Sequence, residues 1–264
     1  MYDFNYHKPK TVAEAAAILG KESDAKLLAG GHTLIPTMKQ RLASPSDVVD
    51  LAGVAELKGI SVSGGTVSIG AGVTHAEVAA SAEVKKAIPA LAALAGGIGD
   101  PHVRHRGTIG GSIANNDPSA DYPAACVGLG ATIHTNKGSH KADDFFTGLF
   151  ETALGDGEII TKVTFPVPKK AAYMKFANPA SRYALVGVMV AQAADGIRVA
   201  VTGAGPCVFR AGAMEAALGG SFSADAVKGV KISADTLNSD IHASAEYRAH
   251  LVGVMASRAV AACG

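Results

Sequence analysis

The chain has 264 residues, with 24 Lys plus Arg against 23 Asp plus Glu, a length that accommodates one large domain or two modest ones. At 48% hydrophobic and 18% charged residues it buries enough apolar surface to offset the ordering entropy, which excludes a disordered chain. A net charge of +1 offers no basic field for nucleic acid or an anionic membrane, and 50 Ala and 31 Gly with no Trp make an apolar fraction of small side chains, so backbones can approach one another or a ligand closely.

Taken in chain order, Met1 to Lys8 lacks a charged start followed by an apolar core, which predicts no export signal and a cytoplasmic location. Thr11-Val12-Ala13-Glu14 is a capping box that opens an Ala-rich helix closed by Gly20. Lys26 to Ala29 reads as a short buried strand ending on glycines, Thr33 to Leu42 as a helix begun by Thr33 and Pro36, and Val48 to Leu51 as another strand. Ile60, Val62, Val67 and Ile69 alternate around Gly64-Gly65, a β-hairpin signal. Thr74-His75-Ala76-Glu77 is a second capping box; its helical stretch runs towards Ala95 with a break near Pro89. Residues 96 to 123 are rich in glycine, proline and polar side chains without clear period, and so irregular a segment in a compact domain points to function.

Beyond it lie a strand at Ala131 to Thr135, a turn at Asn136-Lys137-Gly138, a short helix near Asp143 to Thr152 and a strand at Glu158 to Phe165. Pro166 and Pro168 with Lys169-Lys170 mark a boundary, predicting an α+β domain over 1–168 and a second over 169–264. The second contains strands near Ala172 to Ala177, Tyr183 to Ala193 and Ile197 to Thr202, with Asp195-Gly196 as a hairpin turn, then helices. The last helix, Ser244 to Ala262, places Tyr247, Leu251, Val254, Met255 and Ala259 on one face. The longest uncharged run, Tyr122 to Asn136, is too short and too polar for a membrane span. Cysteines at 126, 207 and 263 form neither a short-spaced metal pair nor a disulfide framework, which fits a reducing compartment.

Two glycine pairs stand out. Leu28-Ala29-Gly30-Gly31-His32-Thr33-Leu34 runs from strand through loop into helix, and Gly107-Thr108-Ile109-Gly110-Gly111-Ser112 is of the same character. Each offers consecutive backbone amides uncovered by a side chain, with a hydroxyl beside them, and such nests bind phosphate oxygens. Two nests suggest a diphosphate, although an isolated glycine pair serves equally to make a turn. Neither carries the Lys of a nucleotide-hydrolysing loop, and no G-x-G-x-x-G run occurs. His32 can touch phosphate, a ring or only a neighbouring carbonyl. Asp100 to Arg106 alternates His with Arg, but such neighbours do not face one coordination centre, so Arg104 and Arg106 are expected to position loops or meet a partner. Asp121, closing a polar run before Tyr122-Pro123-Ala124-Ala125, suggests a carboxylate at a pocket edge that accepts hydrogen bonds from sugar-like hydroxyls. Ser-His-Asp, H-E-x-x-H and C-x-x-C signatures are lacking, and no residue is assigned as a general acid, base or metal ligand.

Ala29-Gly30-Gly31-His32-Thr33 together with Thr108-Ile109-Gly110-Gly111-Ser112 resembles the paired FAD motifs of the medium, flavoprotein subunit of molybdenum hydroxylases, nearest to those of aerobic carbon monoxide dehydrogenases and xanthine dehydrogenases. The likeness extends through Phe4 to Lys10, Leu34 to Lys39, Asp117 to Ala124, Ser181 to Ala184, Ala245 to Arg248 and Gly253 to Met255. It implies an α+β architecture: a vanillyl-alcohol-oxidase-type (PCMH) FAD domain of two subdomains, then a small C-terminal α+β domain with a three-stranded antiparallel sheet. By resemblance, Ala29 to Thr33 and Thr108 to Ser112 bind the FAD diphosphate, Asp121 binds flavin or ribityl groups, Tyr183 lies against the isoalloxazine ring and Lys175 is a basic residue near the flavin. Ser112 stands where Asn or Asp is common in the family, and 213–240 matches poorly.

The implied function is noncovalent FAD binding and electron transfer inside a complex: a large molybdopterin subunit oxidises substrate, a small iron-sulfur subunit carries the electrons, and this chain passes them to an external acceptor. A dimer of heterotrimers is the implied assembly. Three scattered cysteines cannot hold the clusters here. The rivals are a self-contained flavin oxidoreductase with its own substrate pocket and a flavin-free scaffold subunit.

Overall fold

A computed structural model describes residues 1–263. Two sheets occupy the N-terminal part. β1 (Asn5–His7), β2 (Lys26–Leu28) and β3 (Asp47–Asp50) form a parallel sheet in the order β1-β3-β2, with α1 (Val12–Leu19) and α2 (Leu34–Lys39) as its crossovers. Val48 and Val49 of the central strand are buried, whereas β2, expected as a buried strand, is an edge and only half-buried. Thr11 caps α1 by accepting from the Glu14 amide, and Glu14 reaches back to the Lys10 amide, one residue before the cap.

β4 (Ile60–Ser63) and β5 (Thr66–Gly70) make the expected hairpin, whose Gly64 and Gly65 both have positive φ. They join an antiparallel sheet ordered β4-β5-β10-β6-β7, in which β6 is Thr132–Thr135, β7 Ser139–Lys141 and β10 Ile160–Pro166. Between the hairpin and β6 run α3 (His75–Ala80), opened by the Thr74–Glu77 capping box, then α4 (Ala82–Ala87) and α5 (Pro89–Gly96), split at Pro89. Residues 96–123, expected to be irregular, hold α6 (Pro101–Arg106), α7 (Ile109–Asn115) and the start of α8 (Tyr122–Gly128). α6 and α7 have 6 and 7 residues, too short to display a helical period, and are set by their caps: Asp100 accepts from the Val103 amide and Thr108 from the Gly111 amide. The helix expected over Asp143 to Thr152 is only α9 (Ala142–Phe145), followed by the small ribbon β8 (Phe146–Gly148) and β9 (Glu151–Thr152).

The C-terminal part is one antiparallel sheet ordered β11-β12-β13-β14, with β11 Lys170–Ala177, β12 Ala184–Ala193, β13 Gly196–Thr202 and β14 Phe209–Arg210. The expected three strands are therefore joined by a two-residue fourth, which pairs Val201 with Phe209. Residues 184–191 are buried without alternation because both faces of β12 are covered. Val186, Val188 and Val190, with Val199 and Val201 of β13, pack on α10 (Gly212–Gly220), α11 (Ala224–Lys228) and α12 (Ala245–Ala262). Met189, Ala191 and Ala200, on the opposite face, join the core of the N-terminal part beside α8. α8 is buried along its whole length, and a Cβ at Gly128 would lie 2.5 Å from the Met189 side chain. The α12 face differs from the expected one: Arg248, Leu251, Val252, Met255, Ala256, Ala259 and Val260 are buried, while Tyr247 is exposed and Val254 half-buried. Arg248 turns the stripe by donating to the Leu185 and Gly203 carbonyls and pairing with Asp240. No helix among the described residues is long and apolar enough to cross a membrane.

Candidate cofactor cleft

A cleft of about 750 Å³ opens where β2 and β3 end against α3, α6 and α7, a volume in the range of small-molecule and cofactor sites. Both glycine motifs line it. The first leaves β2 at Leu28, turns at Gly31 with φ +76° and enters α2. The amides of Gly30, Gly31, His32 and Thr33 meet no acceptor among the described residues, and all four residues line the cleft, so the loop carries a row of unclaimed donors at its wall. Gly30 is required by close approach: a Cβ there would lie 2.3 Å from the Arg106 carbonyl oxygen and 2.7 Å from the Gly107 Cα.

The second motif is built differently from the expected nest. Its Ile109 amide donates to the Val73 carbonyl at 3.0 Å and its Gly110 amide to the Ala71 carbonyl at 2.9 Å, which fastens α7 to the end of β5. The Gly111 amide donates to Thr108 Oγ1 at 3.1 Å. Ile109 is fully buried and does not line the cleft, and Gly110 is packed on Ala71, which a Cβ would meet at 2.6 Å. Thr108, Gly110, Gly111 and Ser112 do line it, and a Cβ at Gly111 would lie 3.6 Å from that of Ala29, so the two motifs stand side by side at the cleft. The first contributes free amides, the second a close wall and a hydroxyl.

Asp121 and Tyr183 line the same cleft, Asp121 4% and Tyr183 51% exposed. Asp121 is a floor residue already engaged by the C-terminal sheet: Tyr173 donates to Oδ1 at 2.5 Å, and Lys175 Nζ lies 3.0 Å from Oδ1 and 3.1 Å from Oδ2. Burial raises its carboxyl pKa against the opposing pull of Lys175 and Tyr173. Lys175 does not line the cleft; it acts on Asp121 from behind while also donating to the Gly97 carbonyl at 2.8 Å. Tyr183 ends a loop closed by Asn178, whose Oδ1 accepts from the Ala180 and Ser181 amides. Tyr183 and Asp117 separate the cleft from a smaller polar pocket of about 270 Å³. Arg182, at φ +62°, holds an unusual conformation for a side chain of its size, and strain of this kind concentrates at functional loops.

His32 is exposed in the cleft. Arg104 does position a loop, donating to the Ile98 and Gly99 carbonyls at 3.0 and 3.2 Å, whereas Arg106 contributes the backbone on which Gly30 rests. His105 Nδ1 lies 2.8 Å from the Pro101 carbonyl, and among the described residues no group of three or more His, Cys, Asp or Glu could hold a metal ion. His75 and Glu158, which the sequence marks only as parts of a helix cap and a strand, line the cleft, and Tyr173 behind Asp121 lies in an expected strand and has no other mark in the sequence. Tyr173 could have been found from strand periodicity, being two residues from Lys175 on the same face. His75 is a neutral imidazole, lowered to about 4 by burial and then by His32 and Arg104.

The residues present fit FAD. Residues with unclaimed amides line the cleft for phosphate oxygens, a Cβ at Gly30 would fill backbone space, and Asp121 keeps acceptor capacity for hydroxyls.

Comparison with known proteins agrees with this cleft. Residues 2–168 match the FAD binding domain in molybdopterin dehydrogenase, and 171–263 match the CO dehydrogenase flavoprotein C-terminal domain. The chain is 36% identical to the carbon monoxide dehydrogenase medium chain of Hydrogenophaga pseudoflava, with 97% of this chain and 96% of the relative covered. It is 35% identical to the nicotine 6-hydroxylase medium subunit of Paenarthrobacter nicotinovorans, with 98% and 96% covered. A solved carbon monoxide dehydrogenase from H. pseudoflava superposes with a TM-score of 0.89 at 37% identity over 99% of this chain and 97% of that one. Quinoline 2-oxidoreductase from Pseudomonas putida 86 gives the same TM-score at 31% identity, with 99% and 97% covered. Two adjoining family matches over nearly all its length and a cleft suited to the dinucleotide establish that the chain belongs to the FAD-binding medium subunits of the molybdenum hydroxylases, an oxidoreductase family.

Proposed function

We propose that this chain is the flavin-carrying electron outlet of a molybdenum hydroxylase complex of the carbon monoxide dehydrogenase kind. In this reading a large partner oxidises substrate at a molybdopterin centre, a small partner relays electrons through iron-sulfur clusters, and this chain hands them to an external acceptor. The assembly is a dimer of heterotrimers in the cytoplasm. The medium-chain names of the relatives support the partners, and the parallel and antiparallel sheets flanking the cleft support the two-subdomain vanillyl-alcohol-oxidase-type layout. Bound noncovalently, FAD supplies the redox chemistry, and the protein supplies binding, orientation and exclusion of side reactions.

Ala29 to Thr33 hold diphosphate oxygens through their amides. Thr108 to Ser112 complete that wall, Ile109 by fixing it from the core and Thr108, Gly110, Gly111 and Ser112 by lining the cleft beside the ligand. Asp121 accepts from flavin or ribityl groups, Lys175 holds its charge, and Tyr183 lies against the ring at the cleft mouth. The single observation that carries this reading is the meeting of the free amides of the first motif with the second motif in one cleft floored by Asp121. The test is the visible spectrum of the protein purified with whatever accompanies it: flavin bands together with iron-sulfur absorption are expected. A colourless chain that cannot be reconstituted would support a scaffold, and an isolated chain that turns over an organic substrate would support a self-contained oxidoreductase.

A further inference from the structure

Asp121 belongs to the N-terminal part of the molecule, yet what fixes its carboxylate comes from β11 in the C-terminal sheet. Tyr173 and Lys175 alternate on the same face of that strand and converge on it, the hydroxyl at 2.5 Å from Oδ1 and the ammonium at 3.0 and 3.1 Å from the two oxygens. The two grips differ in kind. Lys175 is a point charge on a flexible stem and tolerates many orientations of the carboxylate. Tyr173 reaches through a rigid ring, and its hydroxyl makes a short, charge-assisted bond to a single oxygen. Oδ1 has both partners within reach while Oδ2 accepts from Lys175 alone, so the larger remaining acceptor capacity lies on Oδ2.

The neighbouring strand leaves room for this arrangement. Gly187 of β12 pairs with Lys175, and a Cβ built there would lie 2.1 Å from the Tyr173 hydroxyl oxygen. Any side chain at 187 therefore displaces the hydroxyl from Asp121. Tyr173 is partly buried against the N-terminal core and does not line the cleft itself, so whatever it does for a ligand passes through the carboxylate.

We propose that Tyr173 is a positioning residue of the cofactor cleft, orienting Asp121 so that its second oxygen meets ligand hydroxyls, with Gly187 keeping open the space the tyrosine hydroxyl occupies. The proposal rests on the reading of Asp121 as a contact of FAD. The experiment titrates FAD into the full-length chain and into Tyr173→Phe, Asp121→Asn and the double variant, following flavin fluorescence, the visible band positions and the apo-protein melting temperature. Removing a hydroxyl bonded to a charged acceptor is expected to weaken FAD binding by about tenfold and to shift the flavin bands. Because the effect passes through Asp121, the double variant is expected to bind no more weakly than Asp121→Asn alone. Gly187→Ala, which displaces the hydroxyl without removing it, is expected to give the same loss and shift as Tyr173→Phe. Tyr173→Phe that lowers only the melting temperature, with affinity and bands unchanged while Asp121→Asn binds weakly, overturns the positioning role alone, as does a double variant in which the two losses add. Asp121→Asn that binds FAD like the parent overturns the reading of Asp121 and the proposal together.

Discussion

Gly30 and Gly64 separate two uses of the same residue. At Gly64 a Cβ meets nothing within 4 Å, but φ is +56°, so Gly64→Ala is expected to cost ~1–2 kcal/mol of stability and leave FAD binding alone. At Gly30 the obstruction is the backbone of Arg106 and Gly107, which cannot rotate away, so Gly30→Ala is expected to cost ~1–3 kcal/mol and push the two motifs apart. FAD titration of the two folded variants checks this; equal affinities would sink the close-approach argument. Tyr183 poses a different question, because a half-exposed tyrosine before a buried strand can be ordinary framework. Its loop is held by Asn178, so Tyr183→Ala is expected to remove the ring without moving the diphosphate wall. Loss of aromatic stacking worth ~0.5–1.5 kcal/mol should weaken FAD at most about tenfold while changing the flavin spectrum and its reoxidation rate. A loaded variant with an unchanged spectrum and unchanged reoxidation would remove Tyr183 from the site.

The short helices around the cleft depend on their caps more than on their length. α7 begins at a single side-chain bond, Thr108 Oγ1 to the Gly111 amide, and its next two anchors are the carbonyls of Val73 and Ala71. Thr108→Ala is therefore expected to cost ~1 kcal/mol, a drop of roughly 2–4 °C in melting temperature, and to weaken FAD, whereas Thr108→Ser should restore both. Thermal melts and FAD titration of the pair decide it; a Thr108→Ala variant as stable as the parent would show that the backbone anchors suffice. The same elements show what could be read in the chain. Thr11, Thr74 and Gly64-Gly65 announced their helices and hairpin because capping and turn chemistry are local. Both glycine motifs and Asp121 also stand out in the sequence, and the structure brings them to one cleft, although amides of the second motif are engaged elsewhere. α6 and α7 were not legible, since helices this short carry no period. The loss of two amides in the second motif was also hidden, because their acceptors lie some forty residues earlier in the loop after β5. Tyr173 stayed unnoticed because its partner Asp121 is 52 residues away and on another sheet's side of the molecule.

At the scale of the whole molecule, two sequence segments behave as one structure because the C-terminal sheet lends a face to each core. Met189, Ala191 and Ala200 complete the N-terminal core, and Arg198 pairs with Asp143 of α9 and donates to the Val127 carbonyl of α8. Acid should expose this unity from within the cleft. His75 is held near 4 by burial, and Glu158, pushed up by burial but pulled down more strongly by Thr135, the Gly155 amide and His140, lies near 2. Both groups bind fewer protons folded than unfolded, so stability is expected to fall as pH drops from 6.5 towards 4 for His75 and from 4.5 towards 2 for Glu158. Urea melts across pH check the sign, and Glu158→Gln should flatten only the lower arm. Ligand binding tests the unity from outside. At about one hundred times its dissociation constant FAD adds roughly 2.7 kcal/mol, or some 5–10 °C for a chain of this size. If β12 is shared by both cores, calorimetry should show one transition that moves as a whole. The Asp121 contacts with Tyr173 and Lys175 would carry the gain into the C-terminal sheet. Two transitions of which only one responds to FAD would mean that the shared face does not couple them.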